Sequence, residues 1–433
     1  MKLLQAGVSR VIITPPVGIY LTGMERPENS YGLHDDLYAT VLALSDGKTE
    51  LAILSADILL FTLDLIAAVR QSASQQTGIP GENIMFCATH CHSAPPPAAD
   101  QDRPALEQAY CATLPYLLMG AIRMAHDRLA PAKIGSGNGK VQIGMNRRHT
   151  LANGVTLIRA NPDRPVDEQV GVLRVDSLDG LPLAVLVNYA THSVVLGGGS
   201  NVISRDWPGV MYDVVEKVTG AKCMFLQGAA GDINPWPGVP SDSLALMEQL
   251  GTRIGGEVIK VWSGIEMQSE AALAVQDKWV KIPLEPVSRY AGKPPQLAEW
   301  DSAAGQLTLE QFQAWLYSMG YRPQKTVGEG DQQAVMAEMQ AFRLGETALV
   351  TFAGELFVKI GLSIKSRSPV KNTLVASYTN GSVGYVPLPE DYPYGGYEVS
   401  EAFYGYGLPA PIAPEAAGLV EETALELIRS LEA

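Results

Sequence analysis

Short apolar runs alternate with longer stretches of helical period through residues 1–268, and few folds accept that alternation. Strand patterns occur at residues 8–13, 37–44, 51–56, 83–88, 169–175, 181–189 and 222–226. Helical patterns at 64–76, 105–128, 207–218 and 244–262 lie between several of them. Interleaved strands and helices bury their apolar faces by layering one on the other, so the expected class is α/β, with mixed β-sheets covered by helices. After about Glu270 two long strand-like segments, 271–283 and 334–353, precede helices at 356–365 and 416–431, which predicts an antiparallel or mixed sheet. Residues 284–326, rich in Pro, Gln, Trp and Tyr, hold an expected helical insertion at 308–317. No linker and no internal repeat is visible. The chain therefore reads as one unit, 1–433, in which an α+β part from about 269 completes a site begun by the α/β part.

A content of 46% hydrophobic residues over 433 positions supplies a core without external staples. The 32 basic and 46 acidic residues, a net charge of −14, argue against nucleic acid or an anionic membrane as partner. Cys87, Cys91, Cys111 and Cys223 show no paired spacing and fit a reducing compartment. Residues 1–10 contain no apolar signal core, and the richest apolar stretch, 51–69, carries Asp57 and Asp64. The expectation is a cytoplasmic protein without a transmembrane segment, acting on a small molecule.

Three of the six histidines stand where strand-like runs end: His90 and His92 in Thr89-His90-Cys91-His92-Ser93, and His192 in Ala190-Thr191-His192. The two-residue period of a strand at 83–88 predicts His90 and His92 on one face at its exit. Strand exits carry sites in α/β proteins, and clustered imidazoles are costly without a partner, so a metal site is expected. A catalytic zinc takes about three or four protein ligands and keeps a position for water. His90 and His192 can supply nitrogen, and Glu355, where a strand gives way to a helix, can supply a carboxylate. Taken alone, Glu355 is better read as a helix first-turn acid favoured by the macrodipole. His34, His126 and His149 suit structural or solvated positions.

Other segments permit close approach to a ligand. Gln227-Gly228-Ala229-Ala230-Gly231-Asp232-Ile233-Asn234-Pro235 follows a strand with small residues and can aim Asp232 and Asn234 inward, or simply turn. Asp206 precedes a helix, as a cap or a site residue. Arg147 and Arg148 form a basic pair able to stabilise an oxyanion. Residues 378–406 hold seven tyrosines without periodicity, and so long a loop usually carries function.

Taken in order, Ile13-Thr14-Pro15-Pro16, His34-Asp35-Asp36, Thr89-His90-Cys91-His92-Ser93-Ala94-Pro95, Ala190-Thr191-His192, Gly231-Asp232-Ile233-Asn234-Pro235, Gly354-Glu355 and Gly384-Tyr385 through Tyr397-Glu398 resemble the catalytic domain of the neutral/alkaline non-lysosomal ceramidases. The likeness spans nearly the whole chain, without the family's immunoglobulin-like carboxy-terminal domain. It implies a Zn2+-dependent amidohydrolase, ceramidase-like in fold, with His90, His192, Glu355 and Tyr385 as ligands and metal-activated water attacking an N-acyl amide. His92 would act beside the metal, and Tyr397 with Arg147 or Arg148 would hold the oxyanion. The family's Gly-Asp-x-Ser-Pro serine is Asn234 here, which leaves a serine nucleophile without a residue. An esterase or sugar deacetylase on the same metal, and a non-catalytic binding protein with a degenerate pocket, are the competing expectations.

Overall fold

In the computed structural model, which describes residues 3–24, 26–99, 101–237, 241–290 and 324–432, the chain passes three times through one order: strand, strand, strand, helix, strand, helix. The first pass is β1 (Gln5–Ile12), β2 (Tyr38–Ser45), β3 (Glu50–Ala56), α1 (Leu63–Thr77), β4 (Ile84–Ala88) and α2 (Ala105–His126). The second is β5 (Ala130–Lys140), β6 (Gln169–Ser177), β7 (Pro182–Tyr189), α3 (Asp206–Thr219), β8 (Lys222–Gln227) and α4 (Leu244–Ser263). The third is β9 (Leu273–Pro283), β10 (Ala334–Leu344), β11 (Thr347–Thr351), α5 (Val358–Arg367), β12 (Asn372–Ala376) and α6 (Ala416–Ser430).

Within every pass the first three strands pair antiparallel and the fourth lies parallel to the third. A parallel pair needs a crossover longer than a hairpin, which α1, α3 and α5 provide. The expectation of no internal repeat is corrected at this level. Connectivity demands only matching apolar parity along each strand, so three passes can share it without sharing a motif.

The first two passes join through only two residue pairs, Gln5 with Pro131 and Ala6 with Ala130, into an eight-stranded sheet of order β8-β7-β6-β5-β1-β2-β3-β4. The third pass forms a second sheet, β9-β10-β11-β12, with a short strand at Thr326–Val327 beside β10. Alternation then separates the faces. Leu42, Leu186, Met224, Phe342 and Leu349 share one buried cluster between the two sheets. Val41 and Phe86 meet α1 and α2, Val187 and Phe225 meet α3 and α4, and Val350 and Val375 meet α5 and α6. The result is a four-layer α/β/β/α arrangement.

Local departures from expectation have physical causes. The single strand expected at 334–353 is a hairpin, turned at Gly345 (φ +66°), where left-handed backbone favours glycine. β5 lacks an apolar pattern because Gly135, Gly137 and Gly139 face α4 and the turn after it. A Cβ at Gly135 would sit 2.1 Å from the Glu266 carbonyl, and one at Gly139 2.2 Å from Glu257 Oε1. The helix expected at 308–317 lies outside the described residues. Among the described residues, no helix is long and apolar enough to cross a membrane.

Candidate metal centre

Each pass ends its third and fourth strands in loops, and those loops converge. β4 delivers His90 and His92, β7 delivers His192, and β11 delivers Glu355. Backbone bonds tie the passes together here: Ala88 N–H donates to the Tyr378 carbonyl at 3.0 Å and Gly231 N–H to the Leu356 carbonyl at 2.8 Å. Strand period is not what pairs the first two histidines. β4 stops at Ala88, and His90 turns through a left-handed φ of +57°, a conformation that strains a non-glycine residue. Tyr378, two residues beyond β12 as His90 is two beyond β4, has φ +59°.

The turn puts three imidazoles together. The His90 ring lies 4.9 Å from His92 and 4.8 Å from His192, and one nitrogen of each lies within 4.8 Å of the others. Backbone carbonyls orient two of them: His90 Nδ1 donates to Leu59 O at 2.9 Å, and His192 Nδ1 to Ala230 O at 2.8 Å and Ile233 O at 3.1 Å. A carbonyl only accepts, so the proton sits on Nδ1 and each Nε2 offers a lone pair. Those two Nε2 atoms lie 3.6 Å and 3.5 Å from the same oxygen, Glu355 Oε2. Burial, opposed by Glu355, pulls His90 down to about 4. Burial and then Arg147 hold His192 well below its ordinary value. Both rings are neutral, as ligands must be.

Glu355 does not open a helix. It pairs as a short strand with Tyr385, and α5 starts only at Val358, so the macrodipole account of this acid does not hold. It is fully buried, which raises its pKa. Tyr378 donates to Oε2 at 3.0 Å, and Tyr406 bonds Oε1. Tyr385 lies beside the same carboxylate and accepts from Arg147 at 3.0 Å. Tyr397 packs edge-on against Tyr385, ring centres 5.8 Å apart.

The two arginines part company. Arg147 reaches into the site, with NH1 3.3 Å from His192 Nε2 and 3.0 Å from Asn234 Oδ1, and Nε 2.7 Å from Glu398. Arg148 points into the tyrosine loop, bonding Glu398 Oε2 at 2.6 Å and the Gly395 carbonyl at 2.6 Å. Asp206 is also apart from the histidines: its oxygens accept from the backbone of Leu196 and Trp207, and Trp207 Nε1 holds the His192 carbonyl at 2.9 Å. Asp232 spends both oxygens on Asn146 and on the first amide of α5, Val358, at 2.6 and 2.7 Å. Burial raises both acids to about 6. Asn234 stays at the site through Arg147.

Sequence reasoning did not single out Tyr406 or Arg26. Arg26 is buried and donates to five carbonyls, those of Leu21, Thr22, His92, Gly197 and Ser200. It fixes the backbone of His92, whose ring lies where a Cβ on Gly23 would fall 2.6 Å from Nδ1. Lysine keeps the charge but cannot span five acceptors. Arg26→Lys is expected to lower kcat by roughly 10²-fold through misplacement of His92, with bound metal unchanged by elemental analysis. Metal lost in step with activity would count against that explanation.

The residues fit a divalent cation. His90 Nε2 and both His92 nitrogens are buried without a hydrogen-bond partner among the described residues, a costly state that a metal or substrate relieves. Two neutral imidazoles held through Nδ1, beside a hydrogen-bonded carboxylate, are donor types that suit such a cation.

A family model described as "Neutral/alkaline non-lysosomal ceramidase, N-terminal" matches residues 4–235. Among solved structures, neutral ceramidase from Pseudomonas aeruginosa superposes with a TM-score of 0.74 at 18% identity, covering 100% of this chain and 75% of that one. A ceramidase complexed with C2 gives 0.77 at 16% identity, covering 100% and 76%. At such identities the likeness is one of fold.

Proposed function

Since this chain belongs to the neutral/alkaline non-lysosomal ceramidase family, we propose that it is a zinc-dependent hydrolase cleaving the amide bond of an N-acyl substrate. The observation that carries the reading is the convergence of His90 Nε2 and His192 Nε2 on Glu355 Oε2. Tyr385 completes the proposed ligand set from the strand paired with Glu355. Zinc, when bound, supplies a Lewis acid that polarises the carbonyl and brings the pKa of water to about 7.

The protein's own groups do the rest. Burial and the neighbouring histidines keep His92 neutral, so it can accept a proton from water and return it to the leaving amine. Arg147, a cation in a dry site, faces the negative charge of the tetrahedral oxygen, with the Tyr397 phenol as second donor. Glu398 holds Arg147 in place through Nε, leaving NH1 and NH2 directed at His192, Asn234 and Tyr385. Asn234 is no nucleophile, so the reading includes no acyl-enzyme at that residue. Arg148, Asp206 and Asp232 act by holding the backbone that carries the site.

The test is turnover of matched N-acyl amides and O-acyl esters, from acetyl to dodecanoyl, by protein stripped with a chelator and reloaded with zinc. Amide cleavage that disappears on stripping and returns on reloading is expected. Cleavage of esters alone, or amide cleavage by fully stripped protein, would contradict the proposal.

A further inference from the structure

A shallow cleft of about 30 Å³ opens beside the catalytic centre, lined by Asn146, Arg147, Ile158, Arg159, Asn234 and Trp236 among others. Two of its walls belong to the site itself, because Arg147 and Asn234 hydrogen-bond each other one step from His192. None of the lining residues is acidic, in a chain with a net charge of −14. Arg159 is exposed and forms no ion pair among the described residues. Its backbone is fixed by a 2.8 Å bond from its N–H to the Arg147 carbonyl, so the free guanidinium starts from a rigid base.

The donors outnumber the acceptors. Arg147 occupies the Asn234 Oδ1 atom, which leaves the amide nitrogen of Asn234 to donate into the cleft. Trp236, 41% exposed, adds an apolar wall ending in another donor. A guanidinium, an amide N–H and an indole face suit one group: a small planar anion next to an apolar segment. We propose that Arg159 and Asn234 form a subsite for a carboxylate on the substrate, which makes the preferred substrate an N-acyl compound with a carboxylate a few bonds from the scissile amide. This rests on the amidase reading above and names the substrate class of that same site.

Four compounds test it with the zinc-loaded enzyme. N-hexanoyl-glycine and its neutral amide place the carboxylate, or its uncharged counterpart, on the amine half. The mono-ethylamide of adipic acid and its neutral diamide place it on the acyl half. In at least one pair the carboxylate is expected to be preferred in kcat/KM by roughly 10-fold or more. Arg159→Gln is expected to collapse that ratio towards one, and the pair that responds identifies which half enters the cleft. Equal rates within both pairs, or a preference that survives Arg159→Gln, would overturn the subsite while leaving the amidase reading intact. No turnover of any compound would overturn both.

Discussion

Replacing His90 and His192 together by alanine is expected to abolish metal binding and lower kcat/KM by roughly 10³-fold or more. The argument is one of lone pairs. Each ring is turned by a carbonyl on Nδ1 so that Nε2 faces Glu355 Oε2, and no other described residue offers nitrogen in that direction except His92. With both rings gone, only Glu355 and Tyr385 of the proposed ligand set remain, fewer donors than a catalytic zinc requires. The fold should survive. Glu355, its pKa already raised by burial, can take a proton and keep its bonds to Tyr378 and Tyr406. Elemental analysis after dialysis, with thermal unfolding as the control, decides the matter. A well-folded double variant that retains one equivalent of zinc would exclude these ligands.

Much of this centre could be read from the chain because strand exits leave local marks. An apolar run ending in His90, and another ending before His192, announce both position and donor chemistry. What could not be read is convergence. The oxygen shared by the two histidines comes from the third pass, more than 150 residues downstream of His192. The repeated connectivity that brings it there is stored as apolar parity, which many sequences satisfy. β5 was invisible for a related reason: its glycines exist to admit α4, so the strand has lost the side chains that would show its period. Arg26 and Tyr406 were likewise hidden, since their partners are backbone carbonyls and a distant carboxylate. The adjacent arginines show the limit most plainly. Neighbours in sequence, they share Glu398 but part in their other partners, Arg147 reaching His192, Asn234 and Tyr385 and Arg148 the Gly395 carbonyl.

That divergence makes Glu398 the keystone of the tyrosine loop. Its two oxygens take Arg147 Nε at 2.7 Å and Arg148 NH1 at 2.6 Å, and all three residues are buried. Burial alone would raise this carboxyl, but the two guanidinium groups outweigh it and hold Glu398 down at about 2. A folded pKa below the unfolded value means that the unfolded chain binds the extra proton. The pair's contribution is therefore full above about pH 4.5 and drains away as pH falls towards 2. Glu398→Gln leaves two buried cations without their anion, and losing one partner of a buried ion pair costs about 3–5 kcal/mol. Urea unfolding at neutral pH is expected to show that loss, together with a flatter acid limb between pH 4.5 and 2 than in the parent protein. The catalytic rate should fall as well, because Arg147 would no longer be anchored against His192 and Tyr385. Stability within about 1 kcal/mol of the parent, a typical surface-pair effect, would show that the loop is held by something other than this acid.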